Sequence, residues 1–300
     1  MFAPASPPDA PRLRALALVV CAVVVATGCS TVRFGYGQAE RVAAWYTESY
    51  VTLDQRQSRL LGEQLAGFKQ WHCSTQLGGY AAWLRQVGDE IQPGLDPGRI
   101  EARIGNLQYF AKVMAEQAAP RLATLGNSMN ERQLVELKES FSRSNRKYRE
   151  KWVDAPADEI RAERATQMKK RINWWVGPLD RRQRTLVDAS SRDLRLTGSE
   201  ALASRIQWQQ ELVRVLEARG ERVQLETEIR TLLAEPDRFW TRGLVDAVES
   251  NRTLTVDLLA SLANTLDEAQ RKRVRSRTAA LAADFDALAC PQRRTAAEAR

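Results

Sequence analysis

The sequence predicts an all-α protein, an irregular multi-helix bundle, and three observations predict it. Apolar residues recur at helical spacing from Gln38 onward. No run of alternating β-branched residues stands outside the first 28 residues, so no sheet is expected. One helix-starting pattern occurs four times. The composition suits a packed domain, with 44% hydrophobic and 27% charged residues in a 300-residue chain.

The chain opens differently. Arg12 and Arg14 precede an uncharged run, Ala15 to Val25, that ends in Val25-Ala26-Thr27-Gly28-Cys29. A basic flank, a short apolar run and small residues at the cut form the pattern of a secretory signal. The run is shorter than the roughly 20 apolar residues that span a bilayer. Its end resembles the bacterial lipobox, with Ala26 where Leu is usual. That resemblance implies that residues 1–28 are a lipoprotein signal peptide and that Cys29 carries the acyl chains. Each buried CH₂ would contribute about 0.8 kcal/mol to anchoring. Ser30 in place of Asp implies delivery to the outer membrane, on its periplasmic face. Residues 29–36 then read as a lipidated tether, and residues 30–36 reach only about 25 Å when fully extended. The helical domain covers residues 37–290, with 37–177 and 178–290 as candidate lobes, and residues 291–300 read as a flexible tail.

Within the domain, Leu134, Leu137, Phe141, Tyr148 and Trp152 form one helical stripe, and Leu254, Leu258, Leu259 and Leu262 another. Pro93-Gly94, Pro97-Gly98, Pro120, Pro156, Gly220 and Pro236 mark breaks between helices. Lys169 to Pro178 reads as a helix stop, with basic last turns followed by Gly177 and Pro178. These signals give about eight to eleven helices of ordinary length.

The repeated pattern is an apolar residue, Asp or Asn, two free positions, then Gln. It appears at Leu53-Asp54 to Gln57, Met129-Asn130 to Gln133, Leu179-Asp180 to Gln183 and Leu266-Asp267 to Gln270. Leu196-Thr197-Gly198-Ser199-Glu200 is a looser fifth copy. The residue types are those of a capping box: the Asp or Asn accepts from a first-turn N–H and the Gln reaches back to the cap N–H. Each cap contributes about 0.5–2 kcal/mol. The motif resembles the LTxxQ signature of the Spy/CpxP group of helical periplasmic proteins, some of them chaperones. The chain as a whole resembles a proteobacterial lipoprotein family with a domain of unknown function. That likeness rests on Tyr36 to Tyr50, Trp71-His72, Asn145 to Glu150 and Trp174-Trp175-Val176-Gly177. Four copies instead of two, and Asp or Asn where Thr is usual, separate this chain from the Spy type.

Of four cysteines, Cys21 leaves with the signal peptide and Cys29 is acylated, so Cys73 and Cys290 remain. In an oxidising compartment they are expected to pair; the alternative is two buried free thiols. A bond closing about 218 residues stabilises by at most about 5 kcal/mol in the chain-entropy picture.

No catalytic residues are assigned and the chain is read as non-enzymatic. His72 is the only histidine, which leaves little for a triad or a multi-histidine metal site, so no metal or cofactor is expected and His72 reads as structural. No GxxxxGK[ST] loop is present. The net charge is +8, and loss of Arg12, Arg14 and Asp9 with the signal leaves +7. Export makes lipid or acidic polypeptide the partner rather than nucleic acid. Arg143, Arg146, Lys147, Arg149 and Lys151 form either an anion-binding face or a solvated helix surface, and the run Arg271 to Arg277 invites the same two readings. The eight Trp are assigned to core packing, unless clustered on a concave client-binding face. The leading reading is a membrane-anchored module that binds unfolded or envelope polypeptides, with no small-molecule substrate identified. The alternative is a structural scaffold in an outer-membrane assembly.

Metabolic palmitate labelling tests the anchor: the wild type is expected to incorporate label and Cys29→Ser to lose it. Equal labelling of the two would refute lipidation at Cys29.

Overall fold

The computed structural model describes residues 31–218 and 220–291. The expected signal peptide, Cys29 and nearly all of the expected tail lie outside the described residues. The described residues form α1 (Thr31–Gly37), α2 (Ala39–Glu48), α3 (Gln55–Thr75), α4 (Leu77–Glu90), α5 (Pro97–Gly126), α6 (Glu131–Trp152) and α7 (Ala157–Val176). There follow α8 (Arg181–Asp193), α9 (Gly198–Ala218), α10 (Arg222–Ala234), a 3-10 turn (Pro236–Phe239), α11 (Arg242–Thr265) and α12 (Glu268–Leu288). No strand occurs among them, so the fold is the all-α multi-helix bundle expected. The tally exceeds eleven partly because the stretch expected as a tether is helical from Thr31 as α1. Ala39, Glu40, Arg41, Ala43 and Ala44 are strong helix formers and continue it as α2.

Residues Glu40–Arg300 form one compact unit. The candidate lobes 37–177 and 178–290 are not separate bodies. One core gathers Ala119 and Ala123 of α5, Leu134 and Leu137 of α6, Val213 and Leu216 of α9, and Leu225 and Ile229 of α10. A second gathers Val176, Leu179, Val187, Leu258, Leu262, Leu266 and Val274, from the end of α7 through α8, α11 and α12. Helix α4 packs on α12 through Ala81, Leu84 and Ala282. Both cores therefore draw on helices from either side of Gly177, because α9 and α10 supply the apolar face that α5 and α6 must bury.

Pro120 departs from expectation. It lies inside α5, which continues through it to Gly126. A proline within a helix frees the carbonyl four residues earlier. That carbonyl, Glu116 O, accepts from Arg230 Nη1 at 3.3 Å, so α10 supplies the lost partner. Gly177 behaves as expected: it caps α7 at φ 90°, a left-handed value suited to glycine.

All four motifs start helices through complete capping boxes. Asp54, Asn130, Asp180 and Asp267 accept from the N–H of Gln57, Gln133, Gln183 and Gln270, and each Gln carbonyl accepts from the cap N–H in return. The fifth copy differs. A Cβ on Gly198 would lie 1.9 Å from the Trp152 carbonyl oxygen, so this glycine lets the start of α9 approach the end of α6.

The motif glutamines do more than cap. Gln57 Nε2 donates to Gln133 Oε1 at 3.0 Å and Gln133 Nε2 donates to Gln57 Oε1 at 2.6 Å. The remaining amide hydrogens reach the Ser128 carbonyl from Gln57 and the Thr52 carbonyl from Gln133, both at 2.7 Å. Gln183 and Gln270 form the same ring at 2.8 and 3.0 Å, with Thr265 and Pro178 carbonyls as outer acceptors. Each outer acceptor sits two residues before the partner motif's cap, so the two halves of each clasp are equivalent. The four amides are buried, and every donor and acceptor on them is used. One clasp joins the starts of α3 and α6; the other joins those of α8 and α12.

Cys73 and Cys290 are bonded, with Cα atoms 5.3 Å apart across a sequence separation of 217. The Cys290 N–H also donates to the Cys73 carbonyl at 3.2 Å. The end of α3 is thereby fixed to the residues that follow α12.

Gln133→Glu separates capping from clasping, because Glu completes a capping box but cannot donate. Urea denaturation is expected to show a loss of about 1–3 kcal/mol from the orphaned Thr52 and Gln57 acceptors. In the cycle Gln57→Ala with Gln133→Ala, coupling of about 0.5–3 kcal/mol is expected. Additive effects would show that the two amides act separately.

Candidate functional site

Helices α6 and α9 enclose a groove of about 490 Å³. The apolar spacing of both helices gives it a floor of Phe141, Leu202, Ile206 and Val213. Lys138, Arg146, Arg149, Arg214 and Glu217 rise around that floor. Lys138 pairs with Glu217. Arg214 pairs with Glu211 at 2.6 Å and Glu228 at 3.1 Å, and the bond to Glu211 above all pushes its pKa up. Arg146 and Arg149 are different. Arg146 donates to the Ser142 hydroxyl at 3.0 Å, and neither guanidinium meets a carboxylate among the described residues.

The structure thus divides the predicted anion-binding face. Arg146 and Arg149 line the groove, whereas Arg143, Lys147 and Lys151 follow one another at four-residue steps along another row of α6. Arg143 turns to Glu139 (3.7 Å) and the Ser140 hydroxyl (2.7 Å), and Lys151 lies 4.8 Å over the Trp152 ring. Lys147 is exposed. In the second basic run, Arg271 and Arg275 pair with Glu268, and Arg277 stacks on Trp174 at 4.5 Å. Those cations are engaged within the chain.

Behind the groove lies a second concavity, of about 480 Å³, that sequence reasoning did not find. Leu122, Leu125, Trp208, Leu212, Ile229 and Leu233 are among its walls, and Tyr46, Tyr50 and Arg205 add the polar groups. These residues come from four separate segments, so no local pattern marks them. Phe141 and Gln209 line both concavities. Arg205 is held by neutral acceptors, Asn145 Oδ1 at 2.9 Å and Ser144 Oγ at 2.8 Å, with the Tyr148 ring at 6.0 Å. Asn145 in turn donates to Gln209 Oε1 at 2.7 Å. This chain of polar side chains separates the basic groove from the apolar cavity.

The Trp residues are not core residues in the strict sense: Trp45 and Trp174 are exposed and the other six are half-buried. Trp208 lines the cavity while its Nε1 donates to the Leu232 carbonyl at 2.8 Å. His72 sits beside the disulfide in an aromatic row, 6.4 Å from Phe68 and 5.5 Å from Tyr80. Burial holds its pKa below the ordinary 6.5. Among the described residues, no group of three or more His, Cys, Asp or Glu is placed to hold a metal, and no helix is long and apolar enough to cross a membrane.

The profile of the Family of unknown function (DUF6279) matches residues 49–244, about two thirds of the chain. The match spans the first three motifs, the groove and most of the cavity; the fourth motif and Cys290 lie beyond it. No curated protein and no solved structure matches the chain.

The depressed pKa of His72 has a pH consequence. Below 6.5 the unfolded chain takes up a proton before the folded one does, so stability is full above that value and falls as pH drops toward the folded pKa. Denaturation midpoints measured from pH 8 to 5 are expected to decline in the wild type and to decline less in His72→Phe. Identical profiles would show that His72 does not contribute.

Proposed function

We propose that this chain, which belongs to the DUF6279 family, is a lipid-anchored, non-enzymatic binding protein that holds polypeptide segments in the groove between α6 and α9. One observation carries the reading: among the described residues, Arg146 and Arg149 stand without carboxylate partners above the apolar floor of Phe141, Leu202, Ile206 and Val213. A surface offering both uncompensated positive charge and apolar contact suits a segment carrying acidic and apolar side chains, as unfolded chains do. The lipobox-like ending at Cys29 and the following Ser30 support anchoring at the periplasmic face of the outer membrane. The LTxxQ-like motifs support kinship with the Spy/CpxP group and therefore a chaperone role in the envelope. Without a phosphate-binding loop, such a role runs on binding energy alone.

A second reading, a scaffold in an outer-membrane assembly, is favoured by one feature. Val42, Trp45 and Tyr46 stand exposed at i, i+3 and i+4 on α2, an apolar stripe of the kind that docks on a partner.

Light scattering of a reduced or acid-denatured client distinguishes the two. Residues 30–300 in several-fold excess are expected to suppress aggregation of an acidic client. Arg146→Ala with Arg149→Ala should remove at least half of the effect. Added salt should weaken it, since exposed charges are screened beyond about 10 Å at 0.1 M. Absence of suppression for clients of both charge signs would discard the chaperone reading and leave the scaffold.

A further inference from the structure

The cavity behind the groove has a chemistry of its own. At about 480 Å³ it falls within the range of small-molecule sites. Leu122, Leu125, Leu212, Leu216 and Leu233 give it walls that offer water few partners, and an ordered water needs two to four. A polypeptide segment fits poorly for the same reason, because its backbone amides would be buried without acceptors. Hydrocarbon carries no such cost. The cavity is open to solvent and continues the main apolar core, so a chain inserted there would extend a packed interior.

The polar residues are few: Arg205, Tyr46, Thr47, Tyr50 and Gln209, with Arg205 the one cation among them. Arg205 is half-buried, and its guanidinium is fixed by Asn145 and Ser144, both neutral. A cation held partly out of water without a countercharge is costly, and an anion beside it would relieve that cost. Tyr46 and Tyr50 lie hydroxyl to hydroxyl at 3.2 Å; one donates to the other, which leaves one phenolic hydrogen for a ligand oxygen.

We propose that this cavity binds a single-chain anionic amphiphile, with its acyl chain among the leucines and its carboxylate or phosphate against Arg205. The site is distinct from the polypeptide groove and does not depend on that groove being used. It shares the Asn145–Gln209 wall with the groove.

Isothermal titration calorimetry tests the proposal on residues 30–300 exported with the Cys73–Cys290 bond formed; this piece contains the whole compact unit. The probes are hexadecanoate, hexadecanoyl lysophosphatidylglycerol and hexadecanol, each below its aggregation concentration. One hexadecanoate is expected per chain, with hexadecanol about tenfold weaker for want of a charge-assisted bond. Arg205→Gln should bring hexadecanoate down to the level of the alcohol. Leu212→Trp, which fills the cavity, should abolish binding of both while the circular dichroism stays helical. Should that variant fail to fold, the Arg205→Gln comparison decides alone. Tighter binding of the lysolipid than of hexadecanoate would support the site and assign the head as phosphate; the reverse order would support it and assign a carboxylate. No binding of any probe would overturn the proposal. So would hexadecanol binding as tightly as hexadecanoate with Arg205→Gln unchanged.

Discussion

A primary amide can make four hydrogen bonds, and a buried one must make nearly all of them. Four buried glutamines in this protein meet that requirement in pairs, and the placement of the helices follows from it. Each ring of two amides ties together two helix starts that are 76 or 87 residues apart in sequence. The outer amide hydrogens reach into the loops before the partner helices, so a clasp fixes the approach of the chain as well as the helix that leaves it. A slip of one residue in either helix would strand several polar groups at once. The first clasp sets α6 beside the start of α3, and α6 is the common wall of the groove and the cavity. The surface chemistry at Arg146, Arg149 and Arg205 is therefore positioned by a network remote from all three.

Much of the local structure was legible in the sequence. The caps at Asp54, Asn130, Asp180 and Asp267, the stop at Gly177 and the all-α class follow from patterns of a few residues, where propensity and hydrogen bonding act without tertiary context. The Cys73–Cys290 bond was reached by elimination of the other two thiols. The pairing of the glutamines was not foreseen, because nothing within a motif says which other motif it meets. A signal was nonetheless present: a capping box accepts Glu or Gln at its last position, and all four strict copies use Gln. An unvarying demand for the amide asks what its donors are for. The looser copy, which carries Glu200, takes part in no clasp.

Pro120 was read as a break for a related reason. Sequence reasoning weighs the hydrogen bond that proline removes and cannot see a replacement arriving from Arg230, 110 positions later. The basic stretch of α6 was legible as a cluster but not as a site. Helical geometry distributes its cations between rows, and the neighbours of each row, Glu139 for Arg143 and the facing helix for the groove, decide which charges remain uncompensated among the described residues. The apolar cavity had no sequence signature, because its walls belong to segments that tertiary packing alone assembles.

The covalent ring has a consequence for the order of events in biosynthesis. Cys73 and Cys290 close a loop that contains most of the helical domain, and both cores combine helices from distant parts of the chain. A chain that emerges amino end first from a ribosome can complete the first clasp once Gln133 is out. The second clasp and the ring must wait for Gln270 and then Cys290. For most of its emergence the chain exposes apolar faces whose partners have not yet arrived, and the slow closing of long-range contacts prolongs that interval. A protein built in this way closes its covalent ring and completes its second core only when its last helix docks.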